Sequence, residues 1–118
     1  MFNLFIKFKN AFGYAWNGFK YAYQTQWVFK VELFIFIIAI PASIYLHQTA
    51  AELILMLGSV IFLLIMELIN SAIEVTINRI GLEHHPLSGL AKDLGSTAMV
   101  VAGLNVVMTF GIIFIFNK

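Results

Sequence analysis

Long apolar runs, broken at only a few points, organise this chain. Leu33 to Ala51 and Leu94 to Asn117 contain no Asp, Glu, Lys or Arg. Each is near or beyond the ~20 mostly apolar residues that a bilayer-crossing helix needs. Between them, Leu53 to Met66 is too short alone and is stopped by Glu67. It reaches spanning length only if one helix continues through Glu67 and Asn70 toward Glu74. A polar residue within a membrane helix is costly, so such a continuation carries information about function. The amino-terminal segment is patterned differently. Phe5, Phe8, Phe12, Trp16, Phe19 and Tyr23 recur every three or four positions, one side of a helix. Asn3, Lys7, Asn10, Asn17 and Gln24 fall opposite, with Lys9 and Lys20 on the flank. An aromatic face edged by lysines predicts a helix lying in the membrane interface. The competing reading is a helix packed on protein, for which this chain offers no soluble core.

The expected architecture is therefore an all-α membrane protein in a single domain, residues 1–118. An amphipathic interfacial helix over 1–29 precedes membrane helices over 31–51, 52–80 and 92–117. Pro41 falls inside the first span, where membrane helices tolerate proline, and is expected to bend it. Lys7, Lys9, Lys20 and Lys30 precede the first span, and Arg79 and Lys92 lie between the second and third. The connection between the first two spans, around His47 to Glu52, has no basic residue. The positive-inside tendency then places the amino terminus and the second connection in the cytoplasm.

Composition strengthens this picture: 61% of residues are hydrophobic and 11% charged, where a soluble domain carries about one quarter charged. A net charge of +1 gives no basic field for nucleic acid. Without cysteine there is no disulfide framework and no thiolate chemistry. No signal peptide is expected, because charges and aromatics interrupt the amino-terminal segment.

At about 100° per residue, Glu67, Asn70, Ser71, Glu74 and Asn78 share one narrow stripe of the second span. The intervening Leu68, Ile69, Ala72, Ile73, Val75 and Ile77 are apolar or small. A solvated helix end scatters its polar residues; this one gathers them, so the stripe must face a partner helix or a polar cavity. Magnesium takes one or two carboxylates together with substrate phosphates. A carboxylate at the hydrocarbon boundary also suits a general base. Plain interhelical hydrogen bonding and a proton-coupled transport site are the competing readings. Beyond the stripe come Gly81, expected to end the helix in the left-handed conformation, then Glu83, His84, His85 and Pro86. Lys92 and Ser96 follow, four apart on one face, and a lysine there can meet phosphate oxygens. The two histidines lack partners at metal-ligand spacing and read as solvated loop residues. The sequence has no phosphate-cradling G-x-x-x-x-G-K-[ST] loop and no G-x-S-x-G elbow.

The run Glu67-Leu-Ile-Asn-Ser-Ala-Ile-Glu74, with Asn-Arg-Ile-Gly81 and Leu-Ser-Gly-Leu-Ala-Lys-Asp-Leu-Gly-Ser96, closely resembles the prokaryotic diacylglycerol kinases. Gly13-Tyr-Ala-Trp-Asn-Gly18 extends the resemblance over most of the chain. The resemblance implies a homotrimer in the bacterial inner membrane that transfers the γ-phosphate of MgATP to a lipid hydroxyl, at sites shared between subunits. It implies Glu67 as general base, with Asn70 orienting groups beside it, and Glu74 as the magnesium ligand. Lys92 and Asp93 match positions near the nucleotide phosphates, and Glu83, His84 and His85 the loop contacting the nucleotide. Lys7 and Tyr14 match ATP-binding positions of the surface helix, and Trp16, Glu32 and Ser96, with Glu67, positions near the lipid.

This chain departs from the family's usual pattern at three of these places. Gln26 stands where a second acidic metal ligand is usual, Lys7 replaces an arginine, and Asn78 replaces an aspartate. Undecaprenol kinase is the neighbouring alternative within the family. A small transporter using Glu67 as a proton or cation site is the alternative from another class, and a non-catalytic subunit is a third.

Overall fold

A computed structural model describes residues 2–117 as four helices. They are α1 (Phe2–Thr25), α2 (Trp27–Leu46), α3 (Ala50–Ile80) and α4 (Pro86–Phe116). The last three are each long and apolar enough to cross a membrane. Together with the membership established below, this makes the chain a multi-pass membrane protein. Packing is strongest between α3 and α4, then between α2 and α3, whereas α1 touches α2 lightly. The result is a flat body of 53 × 46 × 23 Å with α3 in the middle. Its centre is small: Met56 and Val60 of α3 are fully buried beside Ser43 of α2. Phe34, Ile37, Leu104, Val107 and Phe114 stay well exposed, as lipid-facing positions should.

The middle span does run on through its polar residues. α3 has 31 residues, about 46 Å at ~1.5 Å per residue, against a hydrocarbon core of ~30 Å. About twenty residues counted from Ala50 reach Ile69, leaving Asn70 to Ile80 in the headgroup region. Counting back from Phe116 in the same way leaves Pro86 to Ser96 of α4 at the same level. α2, with 20 residues, just spans, and α2 stays helical through Pro41.

The connections explain the element ends. α1 stops at Thr25, whose hydroxyl donates to the Tyr21 carbonyl at 2.6 Å, and Gln26 takes an extended conformation as the N-cap of α2. Phe29 of α2 is buried and meets Phe19 edge-on at 5.6 Å, joining the two helices. At the opposite end α2 stops at Leu46, short of the expected residue 51, because a capping box starts α3. Thr49 accepts from the Glu52 amide, and the Glu52 carboxylate accepts from the Thr49 amide, both at 3.2 Å. Asn117 donates to the same carboxylate at 3.1 Å and to the Leu46 carbonyl at 3.3 Å, tying the end of α4 to this turn.

Two details at the other turn differ from the sequence expectation. Gly81 has φ 171° and ψ 153°, extended rather than left-handed. The Glu83 carboxylate lies over Gly81, where a Cβ would meet it, but Glu83 is an exposed, flexible side chain that can move aside. α4 also begins at Pro86, six residues before the expected start. Proline suits the first helical turn, and His85 Nδ1 accepts from the Leu87 amide at 3.1 Å as the cap.

Candidate functional site

The site grows from the polar stripe of α3. Glu67 and Ser71 are buried, Asn70 and Glu74 half-buried, and Asn78 exposed, so the stripe runs from packed interior to open surface. Glu32 of α2 is 6% exposed and Glu67 5%. Each lies close enough to feel a neighbouring carboxylate: Glu32 that of Glu67, and Glu67 that of Glu74. Two buried acids thus lie on adjacent membrane helices near the hydrocarbon boundary, with Glu74 two turns further along α3. Such an arrangement costs stability unless a proton, a cation or a donor completes it.

Asn70 is held from the other side by α4. Gly95 is buried where α3 and α4 approach, and a Cβ there would collide with the Asn70 side-chain oxygen. That oxygen is itself buried without a hydrogen-bond partner, as are Glu32 Oε2, Ser71 Oγ and Ser43 Oγ. Asn70 and Ser71 are consecutive on α3, and Glu32 is on the neighbouring α2. Buried polar atoms are normally satisfied, so these unpaired groups are candidates for contact with a ligand or a neighbouring chain.

Two openings adjoin the stripe. A groove of about 870 Å³ runs between α1 and α3, lined by Phe12, Trp16, Phe19, Leu68, Ser71 and Val75 among others. Its walls are almost wholly apolar apart from Ser71 and Thr76. The second, about 320 Å³, sits at the α3–α4 turn and gathers Asn78, Glu83, His84, His85, Ser88 and Lys92 around Gly81 and Gly89. Ser71 of the stripe thus lines the apolar groove and Asn78 the polar cavity, while Glu32, Glu67, Asn70 and Glu74 line neither.

The expected site residues divide accordingly. Glu32 and Glu67 come together, with Asn70 and Glu74 along the same stripe. Glu83, His84, His85 and Lys92 share the polar cavity, although His85 spends Nδ1 on capping α4. Trp16 lines the groove. Lys7, Tyr14, Gln26, Asp93 and Ser96 line neither opening; all but the half-buried Gln26 are exposed. Ser71, Gly95, Ser88 and Gly89 are additions from the structure. Ser71 was visible in the stripe, and Gly95 only as part of a motif. Among the described residues no three His, Cys, Asp or Glu side chains cluster to cage a metal. A single half-buried carboxylate, Glu74, is the kind of ligand that suits magnesium arriving on phosphates.

Comparison with known proteins places the chain in a family. The model of the prokaryotic diacylglycerol kinase family matches residues 13–114. A diacylglycerol kinase of Haemophilus influenzae is 42% identical over 93 residues, covering 79% of each chain. One of Escherichia coli (strain K12) is 37% identical over 109 residues, 92% of this chain and 89% of its own. One of Pseudomonas aeruginosa is 39% identical over 104 residues, 88% and 85% respectively. Three membrane-length helices, a polar stripe on the middle one and a match across nearly the whole chain lead to one conclusion: this protein belongs to the prokaryotic diacylglycerol kinase family and is a lipid kinase.

Proposed function

We propose that the chain transfers the γ-phosphate of MgATP to the free hydroxyl of diacylglycerol, giving phosphatidate and ADP. The observation that carries this reading is the buried Glu67 on a polar stripe of α3 whose Ser71 lines an apolar groove and whose Asn78 lines a polar cavity. The lipid's acyl chains occupy the groove beside Trp16, which brings the glycerol hydroxyl to Glu67, with Glu32 and Ser96 near the lipid headgroup. Glu67 removes the hydroxyl proton as the lipid oxygen attacks the γ-phosphorus. The bond between that phosphorus and the β,γ-bridging oxygen breaks, and ADP leaves with the electron pair. Asn70, seated against Gly95, orients the reacting groups.

Glu83, His84 and His85 frame the nucleotide, Lys92 and Asp93 flank its phosphates, and Lys7 and Tyr14 contribute from α1. Magnesium bound with ATP supplies neutralisation of phosphate charge; Glu74 would hold it, with the neutral amide of Gln26 as a second oxygen. Direct transfer of this kind rests on positioning and charge stabilisation, with no covalent enzyme intermediate.

The active assembly is a homotrimer in the bacterial inner membrane, its site and amino terminus cytoplasmic. Three observations support an assembly. α4 is buried over only 11% of its most apolar stretch, four buried polar atoms lack partners, and Gly103 leaves room for close helix approach.

Purified protein given labelled ATP and magnesium, with diacylglycerol and undecaprenol in parallel, tests the reading. Faster labelling of diacylglycerol is expected. Preference for the polyprenol overturns the substrate assignment, and labelling of neither lipid by well-folded protein overturns the catalytic one.

A further inference from the structure

The surface helix carries a charge pattern that the phosphoryl-transfer site does not use. Residues 1–31 contain four lysines and no Asp or Glu, the first acid being the buried Glu32. Lys9 and Lys20 are eleven residues apart, which is three turns, so they lie on one flank of α1 about 16 Å apart. That flank is turned away from the protein: α1 faces the groove with Ala15, Gly18, Phe19 and Ala22, and Ala22 is its single buried residue. Lys30, at the head of α2, extends the positive charge and stacks its ammonium 5.0 Å from the Tyr23 ring. Lys9, Lys20 and Lys30 are all exposed. Lys7 points to the other side of α1 and belongs with the nucleotide residues.

The aromatic row next to this flank is also exposed: Phe5 is 68% accessible, Phe12 75% and Trp16 59%. Aromatic rings settle at the headgroup level of a bilayer, and lysine stems reach from there to place their ammonium groups among the phosphates. With no carboxylate on the helix to answer them, these ammonium groups need anions from outside the chain. Zwitterionic lipids offer phosphate already balanced by choline or ethanolamine, whereas anionic lipids offer net negative charge.

We propose that the Lys9–Lys20 flank of α1, with Lys30 at the head of α2, is a binding surface for anionic phospholipid headgroups, concentrating them around the surface helix in preference to zwitterionic lipids. The surface is independent of turnover. The same leaflet supplies its ligand continuously, and each lysine near such a surface strengthens the attraction severalfold.

Trp16 lies on α1 beside this flank, and Trp27 is the other tryptophan. The full-length Trp27→Phe protein, reconstituted in phosphatidylcholine bilayers, therefore reports on the helix through Trp16 emission. Dibrominated phosphatidylglycerol and dibrominated phosphatidylcholine are compared as quenchers at equal mole fraction. An association ratio of at least about threefold in favour of phosphatidylglycerol is expected. It should fall to near one in Lys9→Gln/Lys20→Gln and persist in Lys9→Arg/Lys20→Arg, with helix content unchanged by circular dichroism. Equal quenching in the parent protein overturns the proposal and leaves the flank to some other anion, such as a soluble acidic partner. A preference that survives the glutamine substitutions overturns it too. Because quenching needs no catalysis, a protein inactive on every lipid can still pass or fail this test.

Discussion

At Glu67 the chain places a carboxylate in packed protein beside a second buried acid, Glu32. Burying a carboxylate is costly unless a proton, a cation or a donor offsets it, and in the proposed reaction Glu67 takes up the lipid hydroxyl's proton. Glu67→Gln keeps the shape and one hydrogen-bonding oxygen but takes away the base. Turnover is expected to fall by roughly 10²- to 10⁴-fold, while sedimentation and circular dichroism show the assembly unchanged. Gly95 offers a subtler test. Its missing side chain is filled by the Asn70 carboxamide, which at the end of a short side chain can move aside. Gly95→Ala is expected to lower kcat by about tenfold, the size of effect that a modest displacement of a positioning group produces. The KM for ATP should change less than kcat, since Asn70 lies two turns along α3 from Asn78, which lines the polar cavity. Unaltered kcat in this variant would show that Asn70 need not sit where α4 holds it.

Helix ends and helix lengths decide where these side chains arrive. α3 overshoots the hydrocarbon by about ten residues, and that overshoot carries its stripe from the membrane boundary to the polar cavity. His85 caps α4 and lines the cavity at once, so two roles can be separated. His85→Ala should lower stability by about 1 kcal/mol, a typical loss for a helix cap, and also weaken ATP binding. His85→Asn, a good cap without an imidazole, should recover the stability alone; denaturant titration alongside KM measurements distinguishes the two. The spans and the stripe were legible in the sequence because lipid imposes a long apolar run and helical periodicity sorts its interruptions. Less legible were the turns. The early start of α4 depended on a His85 cap and Pro86, local chemistry that an absence-of-charge criterion ignores. The extended backbone of Gly81 and the approach of Gly95 to a side chain of another helix were not visible to spacing along one helix.

For the molecule as a whole, a flat body with one lightly held surface helix and a sparsely buried α4 leaves the acidic stripe partly unenclosed. A site completed by a neighbouring subunit predicts complementation. Glu67→Gln and Lys92→Gln proteins, each nearly inactive, should regain a substantial fraction of activity when their subunits are mixed during assembly. Mixtures that stay as inactive as the separate variants would place every group of a site on one chain. In the proposed reaction the apolar groove takes the lipid, Glu67 accepts its proton and the polar cavity seats the nucleotide. The most direct measurement of that arrangement is transfer of γ-³²P from ATP to diacylglycerol by the purified protein in bilayer discs, wild type beside Glu67→Gln. Labelled phosphatidate from the wild type, dependent on magnesium and lost by at least about 10²-fold in the variant, is the expected result. Undiminished labelling by Glu67→Gln would contradict the account at its centre.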